Sequence, residues 1–181
     1  MESRKLRQLD EIKPKGRGVE VGTEHRPFYF GLFNRIVRNM LRLGVPVGPT
    51  TLLSVRGRKT GRPRTTPVGY LEHNGHRYVF GTFGEGDWTR NLRATGEAIV
   101  GRGWRRKRVS AIELRVIEEK AMIMKEVLAP FLGSRLGSRM LQMGYDLKKD
   151  STMEDYLREA RIHPGFELLE KLADRPPSHV P

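Results

Sequence analysis

Asn74-Gly75 constrains this chain more than any other dipeptide in it. Both residues tolerate positive φ, which a two-residue hairpin turn requires at its central positions. β-rich runs flank the pair, Thr65 to Glu72 before it and His76 to Thr82 after it. A further run, Thr50 to Val55, precedes them, so antiparallel sheet is the frame on which the rest must be hung. Between the first two runs lies a loop in which Arg56, Arg58, Lys59, Arg62 and Arg64 fall within nine residues. Gly57 and Gly61 allow backbone conformations that bring amide N–H groups close to an oxyanion. Arg forks match phosphate or carboxylate, and Thr60 and Thr65 add hydroxyl donors. A loop of this charge clamped between strands reads as an anion receptor; a solvated basic turn is the plainer alternative.

The remaining elements follow from periodicity and breakers. From about Pro27 to Leu43, Leu32, Phe33, Ile36, Val37, Met40 and Leu41 recur at helical spacing, with Arg35, Arg38 and Arg42 on another face. That pattern predicts an amphipathic basic helix ended by Gly44 and Pro46. A polar segment with Trp88, Asn91 and Leu92 predicts a helical turn. Glu97 to Arg102 and Lys107 to Ile117 predict a strand pair. Helices are expected over Glu118 to Leu132 and Met153 to Arg161, followed by His163-Pro-Gly-Phe166 and a final turn. Residues 1–25 are charged and aperiodic and read as a flexible arm, leaving 26–181 as a single domain. The expected class is α+β: five or six antiparallel strands, curled into a small barrel, with peripheral helices.

Charge sets the range of partners. The chain of 181 residues carries a formal net charge of +13 and no cysteine. The charge favours polyanions: nucleic acid, anionic lipid, or a phosphorylated and carboxylated small molecule. The lack of cysteine excludes disulfides, thiolate metal sites and cysteine nucleophiles, and fits a cytoplasmic location. Neither a secretory signal nor a membrane span is expected. A second basic cluster, Arg102 with Arg105, Arg106, Lys107 and Arg108, sits at a hairpin tip beside Trp104; it suits single-stranded nucleic acid or is a solvated hairpin end. The basic helix packs on its own domain or makes peripheral contact with an anionic membrane.

Several chemistries lack their residues. Gly57-Arg-Lys-Thr60 is not a Walker loop, because the Gly-Lys adjacency and upstream glycine spacing are missing. His73 and His76 flank a turn and point to solvent, while His25, His163 and His179 stand isolated without metal-ligand spacing. No nucleophile elbow is present, and Glu85 with Asp87 is too thin for paired-carboxylate catalysis. If the chain is an enzyme, a cofactor carries the chemistry.

Three blocks together resemble a known family. Gly57-Arg-Lys-Thr-Gly-Arg-Pro-Arg-Thr-Thr-Pro67, then Gly75-His-Arg-Tyr-Val-Phe80, then Asp87-Trp-Thr-Arg-Asn-Leu-Arg93 resemble the deazaflavin-dependent nitroreductases. These are split β-barrels related to the flavin-binding pyridoxamine-phosphate-oxidase-like proteins. The likeness covers roughly residues 45–117 and extends to Glu159-Ala-Arg-Ile-His-Pro-Gly-Phe166.

The resemblance implies coenzyme F420, an 8-hydroxy-5-deazaflavin with a phosphate and an oligoglutamate tail, with FMN as the alternative. Lys59 and Arg64 would hold the anionic tail, with Arg58 and Thr60 nearby. Thr66, Pro67 and Val68 would line the ring, the backbone of Gly81-Thr82-Phe83-Gly84 would pass its edge, and Trp88 and Asn91 would close the pocket. Phe83-Gly84 stands where some members carry Ser-Lys, and Tyr145 and Tyr156 are the tyrosines left for a substrate wall.

The implied activity is hydride transfer from the reduced deazaflavin to a quinone, enone or nitro compound, by a monomer or homodimer. A deazaflavin carrier without turnover and a basic nucleic-acid-binding module are the alternatives.

Overall fold

The structure, a computed structural model, describes residues 30–171, with side chains from residue 35 onward. The arm expected over residues 1–25 and the helix start expected at Pro27 lie outside the described residues. In chain order the elements are α1 (Phe30–Arg42), β1 (Thr50–Arg56), β2 (Pro63–Gly69), β3 (Leu71–His73), β4 (His76–Phe80), α2 (Asp87–Thr95), β5 (Glu97–Arg102), β6 (Arg105–Glu113), α3 (Ile117–Leu132), α4 (Arg135–Leu141), α5 (Met153–Ile162) and β7 (Gly165–Glu170).

The Asn-Gly hairpin forms as its chemistry requires. Asn74 and Gly75 have φ of 51° and 79°, and His73 pairs with His76 across the turn. All strand pairs in the sheet are antiparallel, in the order β2-β1-β5-β6-β7-β4-β3.

That order forces curvature. β2 and β3 stand at opposite ends of it, yet only Tyr70 separates them in the chain. In a flat sheet of seven strands the two edges would lie almost 30 Å apart. Gly69 and Leu71 cannot be more than about 7 Å apart. The sheet therefore curls until its edges nearly meet, and the Tyr70 N–H donates to the Pro49 carbonyl at 2.6 Å where the chain crosses. The single strand expected from Thr65 to Glu72 is accordingly two strands, broken at Tyr70 because each half pairs with a different neighbour.

Period-two alternation then sorts the side chains. Leu53, Val55, Val68, Val79, Val100, Val109, Phe166 and Leu168 point into the curl and pack with Leu92 from α2. Tyr78 and Phe80 point the other way, into a second cluster with Ala121, Met124 and Leu128 of α3 and Tyr156 and Ala160 of α5. Leu52 meets Val37 and Leu41 of α1 on the outside of β1.

Two elements differ from expectation. The final turn after Phe166 is instead β7, which lies inside the sheet and pairs with both β6 and β4. With the break at Tyr70, its addition brings the sheet to seven strands, against the five or six expected. α4, capped by the Ser134 hydroxyl accepting from Gly137 N–H, was not anticipated. The strand expected to run to Ile117 stops at Glu113, and Ile117 opens α3.

Candidate functional site

The basic loop is a constrained structure. It begins after Arg56, whose partner across the β1–β2 ladder is Pro63. Gly57 N–H donates to the Arg62 carbonyl at 2.9 Å, and Gly61 N–H donates to the Gly57 carbonyl at 2.8 Å. Gly61 has φ of +67°, a region that disfavours residues with a side chain. The loop is also pinned from outside, by α2. The backbone N–H of Arg58 donates to Asn91 Oδ1 at 3.1 Å, and its guanidinium reaches the same oxygen at 2.9 Å and Asp87 Oδ1 at 3.3 Å.

These bonds set Arg58 apart from the other cations of the loop. Arg58 is held by a carboxylate and a buried amide. Lys59, Arg62 and Arg64 are exposed and have no carboxylate partner among the described residues. Several cations elsewhere are paired: Arg77 and Lys107 with Glu170, Arg90 and Arg93 with Glu85, Lys171 with Glu97. Asn91, expected to close a pocket, is only 4% exposed and fixes the loop from behind.

The turn from Gly81 to Gly86 leads directly into α2. Gly84 N–H donates to the Gly81 carbonyl at 2.8 Å, and Gly84 has φ of +75°. A Cβ on Gly81 would lie 2.5 Å from the Gly84 carbonyl oxygen, so the turn excludes any side chain there. The hydroxyl of fully buried Thr89 accepts from the Gly86 N–H and donates to the Gly86 carbonyl, closing the start of α2.

A buried polar group backs this turn. His163 Nδ1 donates to the Gly81 carbonyl at 2.7 Å, while Nε2 faces Glu159 Oε2 at 3.0 Å. Both side chains are about 5% exposed or less. The carbonyl can only accept, which places the Nδ1 proton, and the carboxyl anchors the other ring nitrogen. Tyr145 lies against His163 with ring centroids 4.4 Å apart. Its hydroxyl bonds Thr82, and burial pushes that hydroxyl well above the ordinary tyrosine range.

His163 therefore is not isolated, as its lack of metal spacing implied. Its i, i+4 relation to Glu159 at a helix end was the signal in the sequence. Tyr145 and Tyr156 are also placed differently from the expected substrate wall. They are 6% and 2% exposed within the cluster against α3, so they pack and offer no open ring face.

The other expected residues are distributed as follows. Thr66 and Pro67 are half-buried on β2, an edge strand where a missing N–H costs no ladder bond. Val68 points into the curl, and Trp88 packs against the same cluster with its ring 6.2 Å from Phe166. Thr82 and Phe83 are half-buried in the turn. The loop, α2 and the glycine turn thus form one connected unit at the Arg56 end of β1.

A groove of about 940 Å³ opens at the other end of β1. Thr50, Tyr70, Arg77, Arg102, Trp104 and Arg105 are among its lining, and none of the expected site residues is.

A curled antiparallel sheet whose exposed loop cations adjoin a glycine-bounded turn defines the class: a split β-barrel. Residues 34–132 match the family model described as F420H(2)-dependent quinone reductase, and the chain belongs to that family. The family is one of oxidoreductases that draw on reduced F420.

No curated protein matches the chain. Among solved structures it is similar to an F420-H2-dependent reductase at 22% identity, covering 69% of this chain and 99% of that one, with a TM-score of 0.43. It is similar to a FAD-binding protein from Mesorhizobium loti at 14% identity, covering 75% and 87%, TM-score 0.45. A conserved hypothetical protein from Mycobacterium tuberculosis is 12% identical over 76% and 80%, TM-score 0.47.

Proposed function

We propose that the chain binds coenzyme F420 on the β1–β2 loop and the Gly81–Gly84 turn and reduces an acceptor of the quinone class. The observation that carries this reading is the exposed trio Lys59, Arg62 and Arg64, without a carboxylate partner among the described residues, on a loop that α2 pins through Asn91. The residues fit the group. A phosphate with an oligoglutamate tail needs several cations not already neutralised, and the loop supplies them, whereas a single phosphate needs fewer.

Lys59 and Arg64 hold the tail, with Thr60 as an added hydroxyl donor. Thr66, Pro67 and Val68 line the ring, and Trp88 bounds it. Because no side chain fits at Gly81, the turn meets the ring edge with backbone. Glu159 and His163 hold the Gly81 carbonyl from behind, and Tyr145 holds Thr82; they position the turn without reaching the ring. When bound and reduced, the cofactor supplies a hydride. The protein's own share is orientation and exclusion of water around the acceptor. Enones and nitro compounds accept hydride by the same chemistry and are the next acceptors to try.

Fluorescence titration of the purified chain against oxidised F420, with FMN in parallel, tests the reading. Saturable binding selective for F420, followed by quinone-dependent oxidation of the reduced cofactor, is the expected result. Binding of FMN alone would move the chain to the flavin branch, and binding of neither would remove the cofactor assignment. Tight F420 binding without turnover of quinone, enone or nitro acceptors would make the protein a carrier.

A further inference from the structure

Helix α1 carries two apolar ridges. Val37 and Leu41 are buried against Leu52 of β1, so the helix packs on its own domain. Ile36, Met40 and Leu43, at i, i+4 and i+7, form a second ridge that the fold leaves uncovered, with Leu43 79% and Ile36 52% exposed. Val45, just past the helix, is exposed as well.

The β5–β6 turn is joined to the same end of α1. Gly103 N–H donates to the Leu41 carbonyl at 2.9 Å. A Cβ on Gly103 would lie 3.4 Å from Gly44 Cα, so the two backbones nearly touch. The next residue is Trp104, which is 87% exposed. An indole and a row of aliphatic side chains thus share one edge of the molecule.

The polar residues around that edge are cationic. Arg35, Arg42, Arg102, Arg105 and Arg106 are exposed and have no carboxylate partner among the described residues. The nearby acids, Glu72 and Glu170, are already paired with Arg77 and Lys107.

We propose that this edge, α1 together with the Trp104 turn, seats the protein on an anionic lipid surface. An interfacial helix buries an apolar ridge at the acyl boundary while its arginines meet lipid phosphates, and tryptophan prefers the headgroup level. Unpaired arginines strengthen the attraction to acidic headgroups. Nucleic acid would engage the arginines and the indole but leave Ile36, Met40, Leu43 and Val45 without contact. The attachment is peripheral: no helix among the described residues is long and apolar enough to cross a membrane. It is independent of the cofactor reading, since the β1–β2 loop lies at the far end of β1 from Thr50.

Flotation of the full chain with phosphatidylcholine vesicles, with or without about one-third phosphatidylglycerol, tests the proposal. The wild type is expected to float with the acidic vesicles, to stay behind with neutral ones, and to release as salt rises from about 0.1 M to 0.5 M. Leu43→Ser combined with Trp104→Ala should lower the partition at least about tenfold, as should Arg105→Glu with Arg106→Glu. The four side chains are exposed, so unchanged circular dichroism is expected and certifies the fold. Failure of the wild type to float would overturn the proposal. So would flotation indifferent to both variants, or duplex or single-stranded DNA that binds this edge while vesicles do not.

Discussion

The two basic hairpin connections of this barrel look alike as strings of residues and differ in almost every structural respect. The β1–β2 loop carries Arg56 to Arg64; the β5–β6 turn carries Arg102 to Arg108. In the first, a buried amide from α2 grips the backbone and one guanidinium, so Lys59, Arg62 and Arg64 project from a pinned loop with no carboxylate partner among the described residues. In the second, two residues, Gly103 and Trp104, turn the chain; Gly103 is tied to α1 by its backbone, while the Trp104 side chain is 87% exposed. Preorganised cations suit one ligand geometry, whereas exposed cations beside apolar side chains suit a fluid surface. Charge density alone does not distinguish them. The neighbours each loop borrows from elsewhere in the fold do.

The largest difference between the two should appear in cofactor affinity. Lys59→Ala with Arg64→Ala removes two charge-assisted hydrogen bonds, each worth about 1.5–3 kcal/mol, and should raise the Kd for F420 by about two to four orders of magnitude. Arg105→Ala with Arg106→Ala should leave it within about twofold. Isothermal titration of the two double variants compares them directly, and equal losses would erase the distinction drawn here.

A smaller contrast lies in stability. Asn91→Ala strips the acceptor from the Arg58 N–H and guanidinium at a site that is 4% exposed, and should cost about 1–3 kcal/mol in urea unfolding. Trp104→Ala, at a side chain 87% exposed, should stay within about 0.5 kcal/mol. A larger loss at Trp104 than at Asn91 would reverse the assignment of which connection is built into the fold.

Much of this was legible in the residues. Asn74-Gly75 announced its hairpin because the turn requirement is local, and the same holds for the run of cations closed by Gly57 and Gly61. β7 was not legible. Gly165 to Glu170 follows His163-Pro164, begins with glycine and ends on Glu170, and its strand character comes from pairing with β4 and β6, far away in sequence. The break at Tyr70 is likewise topological, since either half of Thr65 to Glu72 reads as strand by itself. The buried residues behind the site were hidden for a related reason. Glu159 and His163 look like surface groups until the sheet curls and brings the Gly81 carbonyl onto the imidazole. Tyr145 and Tyr156 were ambiguous in the sequence: a phenol in the C-terminal half suits a substrate wall or a core equally well, and their burial beside α3 comes from tertiary packing.

The smallest expected effect concerns the acid limb of stability, where the two ends of the barrel again differ. Glu85 is held below the usual carboxylate range by hydrogen bonds from Arg93 and then Arg90. Glu170 is lowered by Lys107 first, with Arg77 adding to it. In both cases the native state binds its proton less readily than the unfolded chain, so the stabilisation is complete above the ordinary glutamate pKa and fades as pH falls through the lowered one. Both side chains are substantially exposed, at 43% and 37%, so each contributes no more than about 1 kcal/mol after screening. Neutralising them leaves different remainders. Without Glu85, Arg93 still grips Glu113 through two nitrogens, at 2.9 Å and 2.6 Å. Without Glu170, Lys107 of β6 loses its carboxylate and Arg77 of β4 keeps only Glu72 at 3.7 Å. Glu170→Gln should therefore lower the urea midpoint at pH 7 more than Glu85→Gln, and both gaps to wild type should narrow as the pH is taken below the ordinary glutamate range. A gap that does not narrow would show that shape, and not charge, sets the contribution of that carboxylate.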